Sequence, residues 1–581
     1  MTAFLGVSAS ATGRKWVGLS ENDDRLAQSI AQQTGLPATL ARTLARLGVA
    51  AENATAYLAP SLRDLMPNPS IFRDMDTAAE RITQAIAKHQ KIAIFADYDV
   101  DGGSSAALLI DYLRNFNIPA TLYVPDRIDE GYGPNEPAMA DLAARHDLII
   151  CVDCGTLSHD AIAAAKGADV IVLDHHMGGE TLPPALAVVN PNRQDEDSEF
   201  GNLCAAGVVF LTLVAVNRNL RENGAKTPDL MALLDLVALA TVADVAPLTG
   251  LNRALVRQGL KVMGQRNRVG LAALSDAARL TSAPNSYHLG FALGPRINAG
   301  GRIGKADLGA RLLATTNPDE AQAMADQLSQ LNDDRREIEA QVRLLAMEQA
   351  EERGFDAPLV WAAGKNWHPG VVGIVASRLK ETSNRPAIVI GLEGGEGKGS
   401  GRSVTGIDLG SAIATCAREG LLLKGGGHKM AAGLTVAEDK LEAAMDRLGE
   451  LLRKQGADKI GPKDLRLDGS VMPSAITTEL VEQLEMAGPF GAGAPAPRFA
   501  LPAQKIAFAK RAGESHLRLT AQDANGGRID AICFGAFDGP IGPMLENHKG
   551  QSFHLAGRLE IDEWGGRRKA KLRLEDVAPA E

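Results

Sequence analysis

Between Lys91 and about Asn192 the sequence alternates apolar runs with Ala-rich segments, and three of the apolar runs stop at charged or ionisable residues. "KIAIFAD" ends at Asp97, with Asp99 and Asp101 just beyond; "DLIICVD" ends at Asp153; "DVIVLDHH" ends at Asp174, His175 and His176. "ATLYVPD" belongs to the same rhythm, and segments such as "SSAALLIDYLRNF" and "SHDAIAAAKG" read as the helices between. That alternation predicts a parallel sheet covered by helices. Ligands of such sheets bind beyond the carboxyl ends of the strands. Carboxylates crowded at neighbouring strand ends repel one another and raise each other's pKa, so the pattern predicts a cation among them. The helical stretch "LLDLVALATVADVAPL" adds Asp244, shortly before the proline that ends it.

Carboxylates joined by one or two imidazoles suit Mn²⁺ or Mg²⁺ better than structural zinc, which favours thiolate-rich closed sites. Several shared carboxylates predict two ions about 3.5–4 Å apart, the arrangement that attacks phosphate esters. Two competing readings of the same residues fail. "DYDVDG" shares the EF-hand spacing, but Leu108 stands where the bidentate Glu is required, and a strand precedes the loop. "CVDC" has no second pair at zinc-finger spacing, so Cys151 and Cys154 read as strand-end residues around Asp153.

The remaining sequence sets the scale. A chain of 581 residues exceeds one hydrophobic core and predicts two to four domains. Residues 1–85 read as a helical segment, and 317–355 contain a strongly charged helix joining two units. A second α/β unit covers 356–460, with strands "PLVWAAG" and "RPAIVIGL" and Gly-rich loops at "GGEGKGSGRS" and "KGGGHKMAAG". Short alternating runs in 461–581 ("SHLRLTAQD", "RIDAICFG", "SFHLAGRLEI", "KAKLRLED") predict a small antiparallel β-barrel. The fold class is therefore α/β, with two α/β domains, a connecting helix and a C-terminal barrel. A net charge of −10 excludes a basic nucleic-acid coat, so any nucleic-acid site must be a local groove. Five cysteines form no disulfide framework, which predicts a reducing compartment. The opening residues lack the pattern of a signal peptide, and no run reaches the ~18 apolar residues of a membrane span. A cytoplasmic protein without membrane contact is expected.

In this order, "DYDVDG", "EGYGPN", "VDCGT", "VLDHH", "VNPNR", "CAAGVVF", "ATVADVAPL", "GPRINAGGRIG", "WHPGVVGIVASRL", "GSGRS" and "GGGHKMAAG" resemble the DHH phosphoesterase superfamily. Within it the match is to the RecJ family of single-strand-specific 5′→3′ DNA exonucleases, from about residue 50 onward. The resemblance implies a DHH domain over 86–316, a DHH-associated (DHHA1) domain over 356–460 and an OB-fold over 461–581. It maps Asp97, Asp99, Asp101, Asp153, His175, His176 and Asp244 onto metal-binding motifs, with Asp174 orienting the histidines. Phe95 stands where related enzymes often carry a histidine, and Asp97 is expected to compensate.

Arg296, Asn298 and Arg302 suit stabilisation of charge on phosphate oxygens, or form the flanks of a Gly-rich turn; the resemblance favours the first reading. Asn298 and Arg302 thereby join Asp153 and His175 as expected catalytic residues. Ser400, Arg402, Gly426, Gly427 and His428 are expected to hold a phosphate, since glycine admits close approach of backbone N–H groups. His368 reads equally as a phosphate ligand or as the cap of the helix that follows. In the barrel, Phe490, Phe499, His516, Phe534, Trp564, Arg567, Arg568 and Lys569 are candidates for stacking on or pairing with a single strand. Ala494 and Ala496 stand where the family usually has Asn and Glu.

The expected reaction is two-metal phosphodiester hydrolysis, with Asp153 shared between the ions, in-line attack by water and departure of the 3′-oxygen. Each cycle releases a 5′-mononucleotide from single-stranded DNA, in repair and recombination, with single-strand-binding protein and a helicase as implied partners. The rivals are a DHH enzyme for short oligonucleotides or cyclic dinucleotides, and a catalytically inactive DNA-binding scaffold. A terminal strand-holding barrel argues against the first, and the intact acidic and histidine set against the second.

Overall fold

The computed structural model describes residues 2–126, 130–563 and 568–580. The first sheet has five parallel strands: β1 (Ile92–Ala96), β2 (Ala120–Tyr123), β3 (Leu148–Val152), β4 (Asp169–Leu173) and β5 (Ala187–Val189), in the order β2-β1-β3-β4-β5. β1 and β3 are buried along their whole length, as unbroken apolar runs require in a sheet covered on both faces. The fifth strand was not anticipated; at three residues it is too short to read from periodicity.

Register places the strand ends side by side. Ala96 lies opposite Val152, and Val152 opposite Leu173. The ladder then runs one residue further: Asp97 N donates to Val152 O (3.4 Å), Asp153 N to Leu173 O (3.0 Å) and Asp174 N to Val189 O (3.1 Å). Three aspartates thus stand in a row along one edge. α1 (Val100–Arg114) starts four residues earlier than "SSAALL" suggests, because the Asp99 side chain caps it, accepting from Asp101 N (2.9 Å) and Gly102 N (3.1 Å). The acidic motif is therefore the first turn of a helix rather than a loop.

α2 (Ala205–Glu222), α3 (Leu234–Ala243) and α4 (Gly294–Ile303) bring further groups to that edge. α5 (Pro318–Arg353) is the expected connecting helix, about 54 Å long at ~1.5 Å per residue. Ala321, Met324, Ala325 and Leu328 belong to the first domain's core, whereas Val342, Ala346 and Ala350 belong to the second's. One rigid element is thus buried in both.

The second sheet comprises β6 (Val360–Lys365), β7 (Ala387–Glu393), β8 (Glu396–Arg402), β9 (Lys424–Gly427) and β10 (Ala431–Ala437), in the order β9-β10-β8-β7-β6, with α6 (Pro369–Ser383) packed against it. The two Gly-rich segments expected as loops are largely strands. "GKGSGR" lies within β8, and "KGGG" forms the edge strand β9, joined to β10 by a hairpin at His428–Met430. Glycine runs lack the side-chain alternation by which strands are read, so composition pointed the wrong way.

The last domain closes a barrel from β11 (Phe499–Ala512), β12 (His516–Gln522), β13 (Arg528–Cys533), β14 (Ser552–Asp562) and β15 (Lys569–Pro579). β11 pairs with both β12 and β14, and β15 bridges β14 to β13, the latter in parallel. The N-terminal segment is less separate than expected. Trp16–Val17 pairs in parallel with Leu465–Arg466, and the buried Trp16 donates Nε1–H to Asp576 Oδ2 (2.9 Å). Helices Glu21–Thr34 and Ala38–Arg46 follow, separated at Gly35, in keeping with a helical segment. The loop after Gly488 docks on the first domain: Leu248 N donates to Ala492 O (2.8 Å), and Ala494 is buried in that domain's core. No helix among the described residues is long and apolar enough to cross a membrane.

Candidate metal centre

The strand-end row and α1 assemble three overlapping groups of ligand atoms, each within 4.8 Å: Asp97, Asp99 and Asp153; Asp101, His175 and Asp244; Asp153, His175 and His176. His175 Nε2 lies 3.2 Å from Asp153, 3.7 Å from Asp101 and 3.9 Å from Asp244. All seven residues expected as metal ligands therefore converge. Asp244 arrives from the C-terminal end of α3, where the helix stops and the next residue, Val245, has φ +60°. Asp153 itself has φ +60°, a conformation few non-glycine residues adopt. Backbone strain of this kind persists where surrounding structure enforces it, commonly at functional sites. Phe95, buried and stacked on Tyr123 (5.2 Å between centroids), belongs to the core.

The chemistry of the donors fits a divalent cation. Asp97, Asp101 and Asp153 are almost completely buried, and Asp153 Oδ1, though 3.2 Å from His175 Nε2, makes no well-formed hydrogen bond among the described residues. Burial, reinforced by Asp101, Asp99 and Asp97, holds the Asp153 carboxyl well above the usual range. Burial, with Asp101 and Asp99, pushes Asp244 up to about 8. Asp101 is raised by burial even though His175 and the backbone N–H groups of Ala205 (2.6 Å) and Ala206 (2.8 Å), at the start of α2, oppose the shift. Burial and mutual repulsion oppose the ionisation of these groups, and divalent charge removes that repulsion.

Asp174 is the orienting residue of the cluster. One oxygen accepts from Thr156 N (3.1 Å) and Thr156 Oγ1 (2.6 Å); the other accepts from His175 N (2.8 Å), His176 N (3.2 Å) and His176 Nδ1 (2.8 Å). Burial alone would raise its pKa, but these bonds and the histidines hold it below the carboxylate range. Reciprocally, Asp174 outweighs burial and lifts His176 to about 9. With Nδ1–H given to Asp174, Nε2 is the atom that can face an ion.

Several supporting residues escaped sequence reasoning. Asn190 Nδ2 donates to Thr156 Oγ1 (2.8 Å) and His176 O (2.8 Å); Asn192 Nδ2 donates to His175 O (2.6 Å) and Gly201 O (3.0 Å). Tyr132 donates to Asp153 O (3.0 Å) and lies 3.2 Å from His176 Nε2. All three occur in motifs that carried the family resemblance, "VNPNR" and "EGYGPN"; the motifs were visible but the roles were not. Two glycines make the packing possible. A Cβ on Gly102 would lie 2.4 Å from Asp97 O, and one on Gly301 would lie 2.9 Å from Tyr98 O.

Other expected residues gather beside this centre at the start of α6. His368 caps that helix, its Nδ1 accepting from Gly370 N (3.0 Å), so the cap reading is realised. Arg302 Nη1 donates to Gly370 O (3.0 Å), joining α4 to the second domain. Arg402 donates to Ser400 Oγ (2.9 Å), and both reach Gly373 one turn further along α6. Cationic and hydroxyl groups thus surround a helix N-terminus, where anions are favoured. Asn298 Oδ1 accepts from Val100 N (3.1 Å) and so also holds the start of α1. Arg296 turns away, half-buried, to Ser329 Oγ (3.2 Å) and Ala292 O (2.7 Å). Gly426 and Gly427 lie in the exposed edge strand β9, and His428 sits on its hairpin turn.

Among the barrel candidates, Phe499 is core, not a stacking surface, because it points into the barrel. Phe490 packs against the N-terminal helices. Arg568 pairs with Glu482 (2.8 Å) and Glu563 (3.2 Å), and Lys569 begins β15. Phe534 is exposed and meets His516 edge-on at 5.2 Å. Trp564 and Arg567 lie outside the described residues.

Comparison with known proteins agrees with this architecture. Family models match at 91–241 (DHH family, N-terminal domain), 356–454 (DHHA1 domain) and 467–576 (RecJ OB domain). The chain is 38% identical to the single-stranded-DNA-specific exonuclease RecJ of Dickeya dadantii, over 94% of this chain and 96% of the relative. It is 35% identical to the corresponding Escherichia coli protein with the same coverages. The crystal structure of Thermus thermophilus RecJ in complex with Mn²⁺ superposes with a TM-score of 0.79 at 28% identity, covering 97% of this chain and 79% of that one. With a full-length relative at this identity and all three domains matched, the chain belongs to the RecJ family of DHH proteins.

Proposed function

We propose that this protein is a single-stranded-DNA-specific 5′→3′ exonuclease that releases 5′-mononucleotides, with two divalent ions, Mn²⁺ or Mg²⁺, as cofactors. The observation that supports it most directly is the pair of acidic ligand groups meeting at Asp153 and His175, in a chain that also bears a RecJ OB domain. Asp97, Asp99 and Asp153 are arranged to hold one ion, and Asp101, His175 and Asp244 the other, with His176 beside Asp153 and Asp174 fixing the His176 imidazole and the backbone of both histidines. Divalent ions bound there supply Lewis acidity and neutralise charge during in-line displacement at phosphorus.

The protein's own groups do the positioning. Ser400, Arg402 and the N-terminus of α6 on the second domain, with Arg302 from the last turn of α4 on the first, form a seat for an anionic group. Asn298 holds the first turn of α1, and so keeps Asp99 and Asp101 in place. The substrate phosphate would lie between the two α/β domains, which α5 keeps at a fixed separation. Polarity, the setting in DNA repair and recombination, a cytoplasmic location, and partnership with single-strand-binding protein and a helicase follow from family membership.

The test is incubation with Mn²⁺ and single-stranded DNA labelled at the 5′ or the 3′ end, with Asp153→Ala as control. Early release of a labelled mononucleotide from the 5′ end alone, lost in the control, is expected. Turnover of dinucleotides with no attack on long strands would overturn the reading in favour of a small-substrate enzyme. Tight binding without cleavage would instead identify a scaffold.

A further inference from the structure

Phe291 is the most exposed large apolar residue of the described chain (72%), and it does not stand alone. Its ring stacks on Tyr287 (5.0 Å between centroids, 25° between planes), itself more than half exposed. The Arg573 guanidinium, on barrel strand β15, lies 5.8 Å from the Tyr287 ring and 5.2 Å from that of Phe534. Phe534 meets His516 edge-on. Five side chains from two domains therefore form one run of contacts, with two rings on either side of a cation: Phe291, Tyr287, Arg573, Phe534, His516.

The run leads toward the metal centre. Phe291 sits in a single π-helical turn, Leu289–Leu293, between a short helix at Ser286–His288 and α4. That turn buries Leu289 and Leu293 while turning Phe291 outward. π-Turns of this kind cost regular hydrogen bonding and occur frequently at functional sites. The turn packs on the last turn of α3: a Cβ on Gly290 would lie 3.5 Å from Val242, two residues before Asp244. At its other end, Ser286 Oγ donates to Phe490 O (2.8 Å), tying it to the loop that enters the barrel. Exposed aromatics cost solvation, and a core would have enclosed them. Rings interleaved with arginine are the chemistry that holds unpaired bases and their backbone.

We propose that Phe291, Tyr287, Arg573 and Phe534 form a base-stacking track that carries the single strand from the barrel to the metal centre. The track rests on the exonuclease reading, and names the residues that grip the strand behind the scissile phosphate. Arg573 is itself paired with Glu560 (3.3 Å), which tethers its guanidinium near the two rings.

The experiment is a cycle between protein and strand. Binding of a fluorescent oligonucleotide is measured in EDTA, so that the strand stays intact, for wild type, Phe291→Ala, Phe291→Trp and Tyr287→Ala. The same proteins are tested with strands lacking one base at successive positions. Each alanine variant is expected to bind the intact strand about 5- to 100-fold more weakly, as loss of one stacked base implies, while Phe291→Trp binds within about 3-fold of wild type. Removing the base at one or two adjacent positions should weaken wild type but not Phe291→Ala. A general structural role would weaken binding at every position alike, and that outcome overturns the track. So does unchanged binding by both alanine variants, which would mark the rings as a protein-docking surface. A wild-type protein that holds no strand in EDTA yet degrades it with Mn²⁺ overturns the track alone, and one that does neither sinks the exonuclease reading together with the track.

Discussion

Replacing Asp174 by Asn probes the centre without removing a ligand. Two donors converge on one carboxylate oxygen and three on the other, at 2.6–3.2 Å. An amide has one accepting oxygen. Whichever way it turns, its NH₂ group faces either the Thr156 pair or the histidine set, donor against donor. Hydrogen bonds to a charged group are each worth about 1.5–3 kcal/mol net, so losing the smaller set removes roughly 3 kcal/mol or more. Part of that is lost as stability. The part transmitted through His175 and His176 weakens metal binding by about 10- to 100-fold, the usual cost of removing an outer partner of a ligating histidine. Calorimetric titration with Mn²⁺, beside thermal unfolding of the metal-free protein, separates the two. An Asp174→Asn protein that binds Mn²⁺ as tightly as wild type would refute the orienting role.

Three further outcomes follow from the geometry. Asp244, pushed up to about 8, holds a proton near neutrality that a cation must displace; raising the pH from about 6 to 8 should therefore tighten Mn²⁺ binding. Titration in buffers of different ionisation enthalpy should show protons released, and pH-independent affinity would contradict this. Removing the metal should lower the unfolding temperature, by an amount equivalent to about 2.7 kcal/mol when the ion had been present at 100 times its Kd; equal stability with and without Mn²⁺ would argue against a preformed centre. Gly102→Ala places a methyl 2.4 Å from Asp97 O, against backbone, so it should abolish Mn²⁺-dependent cleavage; a variant retaining near wild-type rates would disprove the close approach.

Trp16→Phe leaves the buried Asp576 carboxylate short of one donor, since Nε1–H is lost while Thr12 Oγ1 (3.0 Å) remains. It should destabilise the protein by about 1–3 kcal/mol, read by denaturant unfolding, and no change would mean that solvent compensates.

What the sequence disclosed and what it hid divide along physical lines. β1, β3 and β4 were legible because buried parallel strands are unbroken apolar runs, and because residues one step past aligned strand ends must become neighbours. The convergence of Asp97, Asp153 and His175 follows from that alone. Asp244 was legible only as a helix end; what brings it to the row is packing of α3, which no local pattern encodes. The glycine-rich strands β8 and β9 were misread because their pairing depends on partners across the sheet. Asn190 and Asn192 were hidden for a different reason: they act on backbone carbonyls of the His-His pair, and such a role leaves no spacing rule. The π-turn that exposes Phe291 lies in a stretch to which the sequence pattern assigns no element.

The pairing of Trp16 with Asp576 spans 560 residues. A chain emerging from the ribosome at about 5–20 residues per second therefore leaves Trp16 waiting for half a minute or more before its partner exists. Both α/β domains are complete in sequence by then and can fold first, whereas the Trp16 indole has no acceptor until the last barrel strand, β15, is made. Formation of this clasp is the step of highest sequence separation and hence the slowest to find by diffusion. A chain that stalls within the barrel leaves the Trp16 indole without its acceptor and the edges of β13 and β14 without the strand that joins them, features that chaperones and proteases recognise.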